Sequence, residues 1–258
     1  MRGPTDSDLS HKITGDSVLP ALDWSRDALL LDVDGTIIDI APTPEAVVVP
    51  ESLKLSLSRV RERLGGALAL ISGRTLAAID ELFVPLKFTA AGAHAAELRL
   101  DPDGEVKRCG VPLTPVEKAA FAAVTKLDPR LRIEDKVYTL AVHYRNALEF
   151  EDQVIALMRE QVTKLREDLR ILCGKAVVEV KTRGFNKGTG LRQIMEHPPF
   201  RGRRPIFFGD DVTDEDALAV VPEFSGLGIS VGRLLPGAGF QVSSPQAVRL
   251  WLARLSAE

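Results

Sequence analysis

Three apolar runs of strand length govern what this chain can fold into: "ALLLDV" (28–33), "ALALISGR" (67–74) and "RPIFFGDD" (204–211). Each ends at once in Asp, Ser or Gly. Continuous apolar runs, unlike alternating ones, suit strands covered on both faces, as in a parallel sheet. Between the first two, "PESLKLSLSRVRERLGG" (50–66) sets Leu53, Leu57, Val60 and Leu64 at helical spacing, with Gly65 as a stop. "TLAAIDELFV" (75–84) reads as a second helix, and "LKFTAAGAHAAELRL" (86–100) as a third strand followed by a turn. Strand and helix alternating in this order predict an α/β fold, an open sheet with crossover helices.

The pattern changes in the middle. "CGVPLTP" (109–115) looks like a linker, and "PVEKAAFAAVTKL" (115–127) like a helix. In "RLRIEDKVYTLAVHYRN" (130–146) Val137, Leu140, Val142 and Tyr144 mix with polar neighbours, as in a strand with one wet face. An amphipathic helix over 148–168 and a strand "AVVEVK" (176–181) follow, and "TRGFNKG" (182–188) is a second linker. The first pattern then resumes and closes on a helix over 244–257, with Pro245 in its first turn. The expected division is a flexible tail (1–24), an α/β core in two pieces (25–111 and 184–258) and an inserted α+β cap (112–183).

Composition narrows the class. With 33 Lys+Arg against 36 Asp+Glu, the net charge of -3 offers no basic field for nucleic acid. No run approaches a membrane span, and the polar first twenty residues lack a signal-peptide core. Cys109 and Cys173 lack metal-ligand spacing and read as inert packing thiols of a reducing compartment. A monomeric cytoplasmic protein with a small-molecule ligand is expected.

Ligands of open α/β sheets bind beyond the carboxyl ends of the strands. Three such ends, "DVDGT" (32–36), "ISGR" (71–74) and "GDDVTD" (209–214), therefore suggest one shared site. Carboxylates gathered there without equal numbers of bases call for a cation, and an oxygen-only donor set suits Mg2+. Asp32 and Asp34, at i and i+2 of an extended segment, leave on the same side. One can attack phosphorus, while the other protonates the leaving oxygen and later deprotonates water. Lys187 would neutralise the phosphate, Ser72 would hydrogen-bond it, and Gly35 and Gly73 would turn backbone N–H groups toward it. Thr36, in the first turn, joins the phosphate-binding candidates. Arg74 suits either a surface charge or the substrate side.

"DVDGT", "ISGR", "NKG" and "GDDVTD" resemble, in order, the four motifs of haloacid dehalogenase (HAD) phosphatases. The resemblance covers the outer domain and implies a HAD-like Rossmannoid parallel-sheet core with an inserted cap. It implies Asp32 as nucleophile and Asp34 as general acid/base. Mg2+ would be held by Asp32, Asp210 and the main-chain carbonyl of Asp34, supported by Asp211 and Asp214. "AAGAHAAELR", "IEDKVYTLAVHYRN" and "VVEVKTRGFNKG" look like trehalose-6-phosphate phosphatases. That resemblance implies Glu134, Lys136 and Glu179 on the distal sugar's hydroxyls, with His94, His143 and Arg145 as further substrate contacts. Ala95 stands where the family has Gly, and is strained if that position needs positive φ.

Each residue also has a structural reading. Asp214, Glu215 and Asp216 fit dipole compensation at a helix start, and Glu215 and Asp216 are read as only that. Glu134 with Lys136 could be a surface charge pair, and His143 and Arg145 could serve the sheet alone. Asp39 reads as loop structure. The function implied is Mg2+-dependent hydrolysis of trehalose 6-phosphate through an aspartyl-phosphate, within trehalose biosynthesis. Sucrose 6-phosphate, mannosyl-3-phosphoglycerate or a hexose phosphate are alternative substrates; a non-catalytic sugar-phosphate regulator and a phosphomutase are the rivals.

Overall fold

The computed structural model describes residues 13–14, 19–41, 46–174 and 176–257. Among these, one sheet is built from β1 (Ile13–Thr14), β2 (Asp27–Leu31), β3 (Leu68–Ile71), β4 (Thr89–Gly92), β5 (Glu97–Arg99) and β6 (Lys107–Arg108). The second sheet holds β7 (Arg132–Asp135), β8 (Thr139–His143), β9 (Leu169–Gly174) and β10 (Val177–Thr182). β11 (Arg204–Gly209), β12 (Leu227–Val231) and β13 (Phe240–Val242) return to the first, giving the order β1-β13-β12-β11-β2-β3-β4-β5-β6. Pairing is parallel from β1 to β4 and antiparallel only at the β5–β6 edge. This is the expected α/β fold.

Every residue of β2 and β3 is buried, so both sheet faces are covered, which is why their sequences run apolar without alternation. The helices are α1 (Glu51–Arg63), α2 (Leu76–Phe83), α3 (Pro115–Ala122), α4 (Glu151–Leu165), α5 (Lys187–Met195), α6 (Glu215–Leu218) and α7 (Pro245–Ala257). α1 packs on α7, and α5 on β3 and β4. Leu31 stands level with Phe208 of β11 and Leu70 of β3. The three central strands therefore end together, and Asp32, Ser72 and Asp210 emerge along one edge.

The second sheet, in the order β7-β8-β10-β9, is antiparallel throughout. One face carries Val142, Val178 and Val180 into a separate core with Phe121, Val154 and Met158 from α3 and α4. The other face aligns Glu134, Ala141, Glu179 and Leu172 in one cross-strand row. The alternation in 137–144 thus reflects a sheet buried against its own helices on one side. β9 and β13 were not foreseen in sequence; each is short or mixed in polarity.

Of the tail expected to fray, residues 1–12 and 15–18 lie outside the described residues. Leu22 is instead packed in the main core, and the Arg63 guanidinium sits 3.9 Å from the Trp24 ring centroid. Apolar burial and a cation–π contact hold this part down. Cys109 is half-buried, but Cys173 is exposed on edge strand β9, so it is no packing thiol. No helix among the described residues is long and apolar enough to cross a membrane.

Candidate active site

The turn after β2 delivers the acids. Asp32 is 3% exposed, and its Oδ1 accepts a hydrogen bond from Lys187 Nζ at 2.6 Å. Lys187 opens α5, where Asn186 caps the helix by accepting from Thr189 N. The same ammonium donates to Asp214 Oδ1 at 2.7 Å. Asp214 Oδ2 accepts from the backbone N–H groups of Asp210 and Asp211, so it fixes the turn after β11. Thr36 Oγ1 lies 3.0 Å from Asp32 Oδ2 and 3.2 Å from Asp210 Oδ1, bridging the two carboxylates. Thr36 thus meets the acids as well as the turn in which it was expected. Gly35 has φ +79°, and a Cβ there would overlap the Asp210 carboxylate; this turn accepts only glycine.

One ammonium serves two of three crowded acids. Burial and the neighbouring Asp214 push the Asp32 carboxyl well above its ordinary range, against the pull of Lys187. Burial and Asp214 likewise raise Asp210 to about 6. Burial alone would lower Lys187, but Asp214 and Asp32 outweigh it and hold the ammonium charged.

On the other side of the turn, Asp34 accepts from Arg74 Nε and Nη2, both at 2.6 Å. Arg74 is therefore paired with Asp34 rather than free as a surface charge. Ser72 is buried, and its Oγ accepts from Arg74 N, which shapes the "SGR" turn. His94 N donates to Ser72 O and Ala93 N to Arg74 O, stapling the "GAHA" loop to that turn. A Cβ on Gly73 would stand 2.9 Å from His94 Nε2, so Gly73 admits the ring.

The second sheet presents its polar face here. Glu179 Oε1 accepts from Thr139 Oγ1 at 2.5 Å and lies 3.8 Å from Lys136 Nζ; its Oε2 is 3.7 Å from His94 Nε2. Glu134 Oε2 is 3.0 Å from His143 Nε2 and 3.6 Å from Lys136 Nζ. Burial would raise Glu179, but His94 and Lys136 more than offset it and hold the carboxylate ionised. The His143 contact holds Glu134 below its usual range. Lys136 sits in a tight turn next to Val137, whose φ of +70° is unusual for a β-branched residue.

Two expected residues stand apart. Arg145 is exposed and makes no hydrogen bond or ion pair among the described residues. Asp211 is exposed, accepts from Val212 N as a cap and lies 3.4 Å from Arg233. Asp39 pairs with Arg249 at 3.0 Å and takes no part, as its loop reading required. Asp216 does more than compensate a dipole, lying 3.8 Å from Arg170 of the second sheet.

A family model described as trehalose-phosphatase matches residues 30–235. The chain belongs to the trehalose-phosphatase family. It is 41% identical over 244 residues to a probable trehalose-phosphate phosphatase of Sinorhizobium fredii, covering 93% of this chain and 92% of the relative. It is 35% identical over 231 residues to the trehalose-6-phosphate phosphatase of Escherichia coli K12, covering 89% and 86%. Among solved structures, the C-terminal domain of Candida albicans trehalose-6-phosphate phosphatase superposes with a TM-score of 0.79 at 22% identity, covering 92% of this chain and 98% of that one. A HAD phosphatase from Bacteroides thetaiotaomicron gives 0.60 at 17%, covering 95% and 100%. These two show the shared fold.

Family membership sharpens the question of Ala95. Ala93, His94 and Ala95 all have positive φ, at 49°, 54° and 70°. The left-handed region costs an L-residue about 1–2 kcal/mol. The Ala95 methyl is fully buried beside Gly190 of α5, and burying one methyl returns about 0.8 kcal/mol. Glycine would relieve the strain yet lose that burial and cost unfolded-chain entropy of about 0.4–1 kcal/mol. Ala95→Gly is therefore expected to stay within about 1 kcal/mol of wild type in urea unfolding, whereas Ala95→Val, β-branched at φ +70°, loses several times that. Equal stabilities for all three proteins would dismiss the strain argument.

The carboxylate cluster also fits a metal ion. Asp32, Asp210 and Asp214 each offer an oxygen, all within 4.8 Å of one another. Asp214 spends both oxygens on Lys187 and the backbone, leaving Asp32 and Asp210 as the direct donors. An all-oxygen set with excess negative charge suits a hard divalent cation.

Residues that sequence reading missed hold these groups in place. Thr139 orients Glu179, Arg233 Nε donates to Asp210 O at 3.3 Å, and buried Glu97 accepts from Leu76 N at the start of α2. Thr139 and Glu97 gave only a weak signal, a polar group in an apolar stretch.

Proposed function

We propose that this chain is a Mg2+-dependent phosphoric monoester hydrolase that converts trehalose 6-phosphate to trehalose and phosphate. The observation that carries the chemistry is the buried Asp32–Lys187 pair with Asp34 two residues on, beyond a sheet edge. The substrate reading rests on the relatives' names and on the charged face of the second sheet opposite. Residues 112–183 act as the cap that reads the sugar, and residues 25–111 and 184–258 as the catalytic core.

Asp32 attacks phosphorus, an acyl–phosphate bond forms and the sugar–oxygen bond to phosphorus breaks. Asp34, freed from Arg74 when substrate enters, takes up a proton from solvent and gives it to the departing sugar oxygen. It then takes a proton from the water that splits the aspartyl-phosphate. Lys187 balances the charge on Asp32, while Ser72 and the turns at Gly35 and Gly73 hold the phosphoryl oxygens. Asp32, Asp210 and the Asp34 carbonyl would hold Mg2+, with Asp214 fixing the turn that carries Asp210, and the ion would supply electrostatic stabilisation of the transferring group. Glu134, Lys136 and Glu179 would pair the distal sugar's hydroxyls, with His94 and His143 behind them. Ionised acids flanked by a lysine suit hydroxyl recognition, because a ligand lacking those hydroxyls leaves them unpaired.

Phosphate release should require Mg2+ and fall to background in chelator. Across trehalose 6-phosphate, sucrose 6-phosphate, mannosyl-3-phosphoglycerate and glucose 6-phosphate, kcat/KM should be highest for the first, by about 100-fold or more over the monosaccharide. A monosaccharide phosphate ranking first would overturn the substrate assignment while leaving the chemistry.

A further inference from the structure

Lys181 lies on the polar face of the second sheet, in a row with Thr139 and Arg170 and two residues beyond Glu179. It is 2% exposed, and its Nζ has no hydrogen-bond partner among the described residues. A buried ammonium left unpaired is costly, so such a group needs an explanation. Burial, then Arg170, push it down to about 8. The charges around it are Arg170 of β9, Glu179 of β10, Asp216 of α6 and Lys187 of α5. Lys181 faces a cavity of about 10 Å³ that it shares with His94, Thr139 and Phe185.

His94 brings a second unpartnered atom to this cavity's lining. The residue is 5% exposed, and its Nδ1 has no partner among the described residues. Burial lowers the ring's pKa and favours its neutral form. With the Glu179 carboxylate 3.7 Å from Nε2, the proton belongs on Nε2, and Nδ1 becomes an acceptor. A donor lacking an acceptor and an acceptor lacking a donor thus line one cavity with room for about one water.

We propose that Lys181 is a positioning residue for Glu179, acting through one water and His94. The ammonium donates to the water, the water donates to His94 Nδ1, and the ring keeps its Nε2–H toward Glu179. Glu179 is thereby held as an ionised acceptor for a sugar hydroxyl. The inference rests on the reading of Glu179 as a sugar contact.

The test uses the full chain, with Lys181→Met and Lys181→Arg. Each is assayed with trehalose 6-phosphate and with p-nitrophenyl phosphate, which has no sugar to meet Glu179. In Lys181→Met the kcat/KM ratio of the first substrate over the second should fall about tenfold, mostly through KM, the effect of one lost charge-assisted hydrogen bond. Lys181→Arg should recover most of the ratio. A ratio within twofold of wild type in folded Lys181→Met would overturn the inference. Nitrogen-15 spectra of the histidines in the wild-type chain give an independent check. A proton on His94 Nδ1 would overturn it without any variant. If the wild-type chain itself shows no preference for trehalose 6-phosphate, the sugar reading fails; a preference that Lys181→Met retains defeats only the role of Lys181.

Discussion

Asp32→Asn is expected to reduce turnover of trehalose 6-phosphate by at least about 10,000-fold, the scale seen when a unit of covalent catalysis loses its nucleophile. The substitution keeps the side chain's shape and removes its charge. An amide oxygen is too poor a nucleophile to form the acyl-phosphate, although it can still accept from the Lys187 ammonium across the present 2.6 Å contact, with the NH2 turned toward Thr36 Oγ1. Stability should move little or in the favourable direction. Asp32 is already pushed well above its ordinary range by burial and by Asp214, so its charge is a strain on the fold. Lost activity together with an unchanged or raised Tm is thus the signature of a catalytic group. Full activity in the purified variant would end the nucleophile assignment, and stoichiometric substrate binding without turnover in the wild type would favour a regulator.

Lys187→Met is expected to damage both fold and activity. Its Nζ touches Asp32 Oδ1 at 2.6 Å and Asp214 Oδ1 at 2.7 Å, with Asp214 fully buried. Removing the ammonium leaves two buried carboxylates facing each other, which costs about 3–5 kcal/mol. Turnover should fall by about 1,000-fold or more, because the phosphoryl group loses a pre-positioned cation. The pH dependence identifies the cause. Without Lys187, Asp32 keeps the burial and the neighbouring Asp214 that push its carboxyl above the unfolded range, and loses the cation that opposes them. The folded state then binds more protons than the unfolded chain, and stability falls as pH rises above the ordinary carboxylate range. Urea unfolding should accordingly show a larger deficit at pH 8 than at pH 5. A deficit equal at both pH values would point to lost packing instead. Adding Asp214→Asn to the variant should restore part of the stability and none of the activity.

Much of the larger sheet is legible in the sequence alone. Strands buried on both faces must be apolar throughout, so "ALLL", "LALI" and "PIFF" announce themselves, and a glycine turn after each marks where the chain reverses. That is why Asp32, Ser72 and Asp210 could be assigned to one edge: parallel strands of one sheet end on one side. Lys187 was legible only through the family pattern, since a lysine at a helix start is usually solvated. Two strands, one in each sheet, were less open to reading. β9 escaped because "LRILCG" neither alternates cleanly nor runs apolar, and β13 because three residues carry no period.

Local chemistry thus determined which acids share one side, since backbone geometry alone puts Asp32 and Asp34 together at a strand end. That Gly35 is obligatory came from the structure, where φ is +79° and a Cβ would overlap the distant Asp210 carboxylate. What contacts across long stretches of chain decided is different in kind. The division of Lys187 between Asp32 and Asp214, the grip of Arg74 on Asp34 and the isolation of Lys181 beside His94 each join residues far apart in sequence. No local periodicity encodes them, because burial and charge pairing follow from which surfaces the fold presses together.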